Sequence, residues 1–278
     1  MKLDLNITGD GAPIIFVHGS ASDYRTWDQP RDFFSSAFRV VTYSRRYHWP
    51  NAPIADGAEY SMRDHVDDLK QVIESVSYDG ATLIGSSYGA YLALVLSIEA
   101  PSLVKRMVLA EPPVIPLYTS FPPKPHEIIA LLLTRPATGL SIVKFVATGL
   151  APAKAAVKRG DMDAALSIFA RAVLGKKMFE KMPEERLKQA RANFSRAELV
   201  GENVMMKINP RDVRGIDVPT LLVTGEQSPR IFHVLTDRLE QLLPNVLRRD
   251  IPAASHAMHE DNPAGYNAVV MDFLSLNR

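Results

Sequence analysis

The sequence predicts an α/β fold: a mainly parallel sheet flanked by helices, interrupted once by an inserted helical block. Three observations predict it. Short apolar runs alternate with stretches of helical period. Those runs are continuous rather than alternating, as in strands covered on both faces. The strand signal then disappears from about 116 to 209 and resumes afterwards.

In chain order, Leu3, Leu5 and Ile7 alternate with polar residues and read as a strand, closed by the turn Gly9-Asp10-Gly11. Ile14–Val17 is a continuous apolar run ending in His18-Gly19-Ser20, and a helix is expected from Trp27 to Ser35. Phe38–Tyr43 is the next strand. The polar loop Ser44–Asn51 leads to a helix with Ser61 as N-cap, on which His65, Val66, Leu69, Val72, Ile73 and Val76 recur near a 3.6 period. Ala81–Ile84 is a strand, followed by Gly85-Ser86-Ser87-Tyr88-Gly89 and an apolar helix to about Ala100. Met107–Ala110 is a strand ending at Glu111-Pro112-Pro113.

The helical block is expected to hold Glu127–Leu133, Ser141–Ala147, Ala151–Arg159, Asp163–Val173 and Pro183–Glu198. Strand Thr220–Thr224, helix Ile231–Leu242, strand Val246–Ile251 and helix Pro263–Leu276 resume the alternation. The implied organisation is one core, 1–114 with 211–278, carrying a helical cap over 115–210.

Composition narrows the function. The 278 residues are 46% hydrophobic and 23% charged, which excludes disorder, collagen and a simple coiled coil. A net charge of +1 gives no bulk field for nucleic acid or a membrane surface, so neither is expected as a partner. There is no cysteine, which removes disulfides and thiolate chemistry and leaves a serine to do any nucleophilic work. The histidines lack HExxH spacing, and no P-loop or GxGxxG follows a strand, so no metal and no cofactor is implied. The first residues lack a signal peptide's apolar run, and no stretch reaches 18 uninterrupted apolar residues. A cytoplasmic protein is the expectation.

Gly85-Ser86-Ser87-Tyr88-Gly89 fits G-x-S-x-G between a buried strand and a helix, the context of a nucleophile elbow. With Val17-His18-Gly19-Ser20 and Ile251-Pro252-Ala253-Ala254-Ser255-His256, it makes the chain resemble the capped α/β-hydrolase-fold proteins. The resemblance spans nearly all of the chain outside the cap. It implies Ser87 as nucleophile, His256 as general base, and an oxyanion hole from the backbone N–H groups of Tyr88 and Ser20. His259 is the rival base, read as a surface or supporting residue. His18 is read as ordering the oxyanion loop, and His65, His126 and His233 as surface or packing residues.

The acid is open between two glutamates. The family's usual aspartate position reads Ser228 here, in Gly225-Glu226-Gln227-Ser228-Pro229. Glu111 is preferred, because some branches take the acid from the end of the strand after the elbow; Glu226 is the alternative. Pro112 is expected to hold Glu111 extended. In the loop Ser44–Trp49, one arginine of Arg45-Arg46 is expected to buttress the loop and the other to be solvated. Arg45, Trp49, Tyr118 and Phe145 are candidate substrate contacts. The expected activity is hydrolysis of a small hydrophobic ester or lactone through an acyl-enzyme. Carbon–carbon bond hydrolysis, cofactor-free oxygen chemistry, or a ligand sensor with a vestigial triad are the alternatives.

Overall fold

The computed structural model describes residues 3–55 and 57–276. Among them one sheet is formed by β1 (Leu5–Thr8), β2 (Pro13–Val17), β3 (Arg39–Tyr43), β4 (Ala81–Ser86), β5 (Val104–Ala110), β6 (Thr220–Gly225) and β7 (Val246–Ile251). Their order is β1-β3-β2-β4-β5-β6-β7. β1 runs antiparallel to β3, with Leu5 opposite Tyr43, and every other neighbouring pair is parallel. The central strands are the continuous apolar runs, because helices cover both their faces. β7 lies at the edge and carries Arg248, Arg249 and Asp250, charges that discourage pairing with another chain.

Helices α1 (Asp28–Phe34), α2 (Met62–Val76) and α3 (Tyr88–Glu99) follow the first strands. The α2 start is the predicted one: the Ser61 side chain accepts from the Arg63 N–H. One face of the sheet packs Ile15, Val17 and Leu83 against α2 and α3. The other packs Ile14, Phe16 and Ile84 against Trp27, Phe34 and Tyr266. Helix α3 is buried almost throughout, which explains its lack of a polar stripe.

Between β5 and β6 the chain is helical: α4 (Pro125–Thr134), α5 (Pro136–Phe145), a π turn (Val146–Leu150), α6 (Ala151–Lys158), α7 (Met162–Leu174), α8 (Lys176–Phe179), α9 (Glu184–Asn193), α10 (Arg196–Val200) and α11 (Pro210–Arg214). Two expectations are corrected here. The segments expected at 141–147 and 151–159 are one unbroken helical stretch, Pro136–Lys158, because the π turn bridges them. By length and mean hydropathy (23 residues, 1.4) that stretch alone among the described helices meets the requirement for crossing a membrane; it packs against α7 and α12. Conversely, the single helix expected over 183–198 is two. Phe194 is extended, and Ser195 opens α10 by accepting from the Glu198 N–H.

Beyond β6, α12 (Arg230–Leu242) returns to β7. The short α13 (Met258–Asp261) and then α14 (Pro263–Ser275) end the described chain.

Candidate active site

Ser87 sits between β4 and α3 with φ +50 and ψ −116, a conformation that L-residues rarely adopt. The turn survives because it is anchored. The Ser87 N–H donates to Ala110 O at 2.8 Å, and Ser87 O accepts from the Tyr91 N–H at 3.0 Å. Gly89 lets the new helix lie against β2: a Cβ there would stand 2.1 Å from Val17 O. The strained turn holds the serine side chain at the wall of a cavity while its flanks are buried.

Glu111, directly after β5, is fully buried. Its backbone is not extended as the following proline predicts; φ is +46. Three contacts hold it there. Its N–H donates to Val223 O, its Oε1 accepts from the Gly225 N–H at 2.9 Å, and its Oε2 lies 2.5 Å from His256 Nδ1. These bonds outweigh a pre-proline preference worth no more than about 1–3 kcal/mol.

His256 reaches Glu111 because the loop after β7 folds tightly over the end of β6. A Cβ on Gly225 would stand 2.3 Å from Ser255 O, so the approach needs glycine there. Ser255 fixes the loop by donating its N–H and hydroxyl to Asp261 at 2.7 and 2.6 Å. Phe232 of α12 stacks on the imidazole at 3.9 Å between ring centres. With Nδ1–H donating to Glu111, Nε2 is the free acceptor, and it has no protein partner among the described residues. Ser87 and His256 line one cavity of about 80 Å³ with Gly19 and Ser20.

Glu226 does not join this group. It is exposed and accepts from the Ala253 N–H at 2.8 Å. His259 lines the same cavity but is committed elsewhere: its Nε2 is 2.9 Å from Thr26 Oγ1, and its ring stacks on Trp27. Burial pushes its pKa down to about 4.

Beneath Ser20 lies a buried polar network. Arg45 donates to His18 O, to Gly19 O and to Glu198 Oε1 at 3.2, 3.0 and 3.3 Å. The Ser20 hydroxyl donates to the same Oε1 at 2.5 Å, and His48 Nε2 is 3.2 Å from Oε2. Arg45 and these bonds hold the Glu198 carboxyl far below the ordinary range despite its burial. His18 donates from Nδ1 to Gly19 O and accepts at Nε2 from the Arg45 N–H, which fixes it as the neutral tautomer. Burial and Arg45 lower its pKa, in agreement.

Several expected substrate contacts are corrected. Arg45 is 1% exposed and serves this network instead of a ligand. Arg46 is not solvated: it chelates Asp68 at 2.6 and 2.7 Å. Trp49 faces outward, 43% exposed, stacked on Tyr24 with Arg25 over it. Tyr118 turns away and donates to Val234 O. Phe145 does line a cavity of about 100 Å³ together with Ser20, Ser87, Tyr88, Phe232 and Glu198. His65, expected at the surface or in packing, is buried against Tyr60. Glu198, Asp261 and Phe232 escape the sequence reading. Ser195-x-x-Glu198 is a capping-box pattern, and it marks the helix break that brings Glu198 to the wall.

The family model for the alpha/beta hydrolase family matches residues 14–269. The chain belongs to that family. Within it, epoxide hydrolase 3 of Mus musculus is 33% identical over 105 residues, 38% of this chain and 29% of that protein, so the chain spans under a third of that relative's length. The solved carboxylesterase CesB of Bacillus subtilis is 20% identical, with a TM-score of 0.70 over 98% of this chain and 87% of that one. The enol-lactonase of Burkholderia xenovorans LB400 is 17% identical, with a TM-score of 0.72 over 98% and 96%. At these identities the solved structures establish the shared fold alone. Among the described residues no group of His, Asp or Glu is arranged to hold a metal ion.

Proposed function

We propose that this alpha/beta hydrolase is a serine hydrolase that cleaves a carboxylic ester or lactone through an acyl-enzyme on Ser87. The observation that carries the reading is the 2.5 Å contact between Glu111 and His256, whose other ring nitrogen is free beside the Ser87 cavity. A serine, not an aspartate, at the elbow argues against the alkyl-enzyme route of epoxide hydrolysis. The inserted helices, 115–210, serve as the cap that gives the cavity its apolar wall.

In the first half-reaction His256 Nε2 takes the Ser87 proton as Oγ attacks the carbonyl carbon. Negative charge on the carbonyl oxygen is received by the Tyr88 and Ser20 N–H groups. Tyr88 is the first residue of α3, where N–H groups are unused within the helix and the helix end is positive. The tetrahedral intermediate collapses, the ester C–O bond breaks, and the imidazolium returns the proton to the departing alkoxide. Water then attacks the acyl group with the same histidine as base, releasing the acid and free Ser87. Throughout, Glu111 holds the imidazole tautomer and balances the imidazolium charge.

The test is p-nitrophenyl ester turnover and fluorophosphonate labelling of wild type and Ser87→Ala. Turnover and labelling of wild type, both lost in the variant, support the reading. Labelling without ester turnover redirects it to carbon–carbon bond hydrolysis. A folded wild type that does neither fits a protein that binds without catalysis.

A further inference from the structure

We propose that Lys154 determines the specificity of this cavity, selecting substrates whose acyl chain ends in a carboxylate. The inference rests on the esterase reading and deepens it.

The cavity beside Ser87 is walled mainly by apolar groups, Phe121, Phe145, Phe169 and Phe232 among them. Two charged residues reach its wall, Glu198 and Lys154. They differ in kind. The Glu198 carboxylate already has Arg45 as its counter-charge and the Ser20 hydroxyl as a donor. Lys154 is half-buried, and among the described residues no carboxylate pairs with it. Its Nζ stands 5.9 Å from the Phe121 ring centre, at the edge of a useful cation–π contact. Burial and the neighbouring Lys158 lower its pKa, which means the cation lacks compensation where it stands.

The backbone is built to aim it there. In an unbroken α-helix, residues five and nine apart do not share a face. The π turn Val146–Leu150 adds one residue to its turn, so Phe145, Leu150 and Lys154 come into line, and all of them line the cavity. The turn is seated by Gly149, where a Cβ would stand 2.5 Å from the Ala172 Cβ of α7. Ala153, Ala156 and Val157 of α6 meanwhile pack into the insertion's own core, so the helix cannot rotate Lys154 outward. An uncompensated ammonium in an apolar wall favours a ligand that supplies a carboxylate at the end of an apolar chain. The acyl chain is the part placed there, because it stays bonded to Ser87 until water releases it.

The experiment compares the p-nitrophenyl half-esters of adipic, suberic and sebacic acids with neutral esters in which an isopropyl group replaces the free carboxylate. The proteins are wild type, Lys154→Met, Lys154→Arg and Lys154→Glu, with thermal melts confirming folding. Wild type should prefer at least one half-ester by roughly ten- to hundredfold in kcat/KM, the range of one charge-assisted hydrogen bond. Lys154→Met should abolish the preference through KM, bringing the half-ester to neutral-ester ratio of kcat/KM to about one. Lys154→Arg should keep it, and Lys154→Glu should reverse it. Neutral esters turned over equally by wild type and Lys154→Met, with no half-ester preference, would overturn the inference and leave the esterase reading standing. If no ester is hydrolysed, the esterase reading fails, and suberate titrated calorimetrically into wild type and Lys154→Met decides the carboxylate site. Binding lost in the variant supports it; equal binding or none overturns it.

Discussion

Glu111→Gln separates the two candidate acids with the smallest change of shape. The wild-type carboxylate is fully buried and its Oε2 lies 2.5 Å from His256 Nδ1. Taking the charge centres about 4 Å apart and an effective dielectric near 20, the carboxylate stabilises the imidazolium by about 4 kcal/mol. That corresponds to roughly a thousandfold in rate. A second effect adds to it. The carbonyl oxygen of the introduced amide can still accept from the Gly225 N–H, which turns the amide nitrogen toward His256. An amide nitrogen only donates, so Nδ1 must accept and the ring proton moves to Nε2, the atom needed to receive the Ser87 proton. The expected fall in kcat is about 10³- to 10⁴-fold. KM should change by no more than about threefold, since Glu111 is not part of the cavity wall. Glu226→Gln should stay within about threefold of wild type in kcat, because that side chain is exposed and orders only the Ala253 amide. Steady-state hydrolysis of p-nitrophenyl butyrate reads both variants, and circular dichroism melts check that they fold. A Glu111→Gln enzyme within tenfold of wild type, or a Glu226→Gln enzyme that loses more, would refute the assignment.

Two further outcomes follow from the buried charges. Glu198→Ala strands Arg45, 1% exposed, without its counter-charge and should cost about 3–5 kcal/mol in urea unfolding; a loss under about 1 kcal/mol would mean the His18 and Gly19 carbonyls suffice. His259 titrates at about 4 in the folded protein, below the unfolded value near 6.5, so the unfolded chain binds the extra proton in that interval. Stability from this group is therefore complete above about pH 6.5 and falls by about 3 kcal/mol as the pH drops to 4. His259→Gln should flatten that part of the urea-derived stability curve, whereas a curve parallel to wild type would contradict the burial argument.

What the sequence makes legible is local. The strand–turn–helix context of Gly85–Gly89 marks Ser87 because strand, turn and helix signals are adjacent in the chain. The Glu111–His256 contact joins residues 145 positions apart, and no spacing rule encodes it. Glu111 stands out as the acid only because Ser228 occupies the place where an aspartate is usual. Charge pairing across the chain is equally silent. Which arginine of Arg45-Arg46 buttresses the loop is not readable, because the partner of Arg45, Glu198, lies 153 residues away, beyond a helix break hidden in an unbroken polar pattern. Trp49 reads as a pocket aromatic because aromaticity does not encode direction.

Four departures from local backbone rules gather around the cavity. Glu111 departs from the pre-proline rule, Ser87 from the allowed region, Val146–Leu150 from α-helical spacing and Phe194 from a continuous helix. Each borders the cavity or holds a group that does. Local rules describe backbone at its preferred geometry, and such geometry would leave Ser87 level with the sheet, Lys154 off the cavity face and Glu198 on a longer helix. Contacts distant in sequence sustain the departures: Val223 and Gly225 for Glu111, Ala110 for Ser87, Ala172 against Gly149 for the π turn. Backbone held away from its preferred geometry costs about 1–3 kcal/mol per residue, and the surrounding packing sustains that cost at Ser87 and Glu111, where it aims side chains that the proposed chemistry uses.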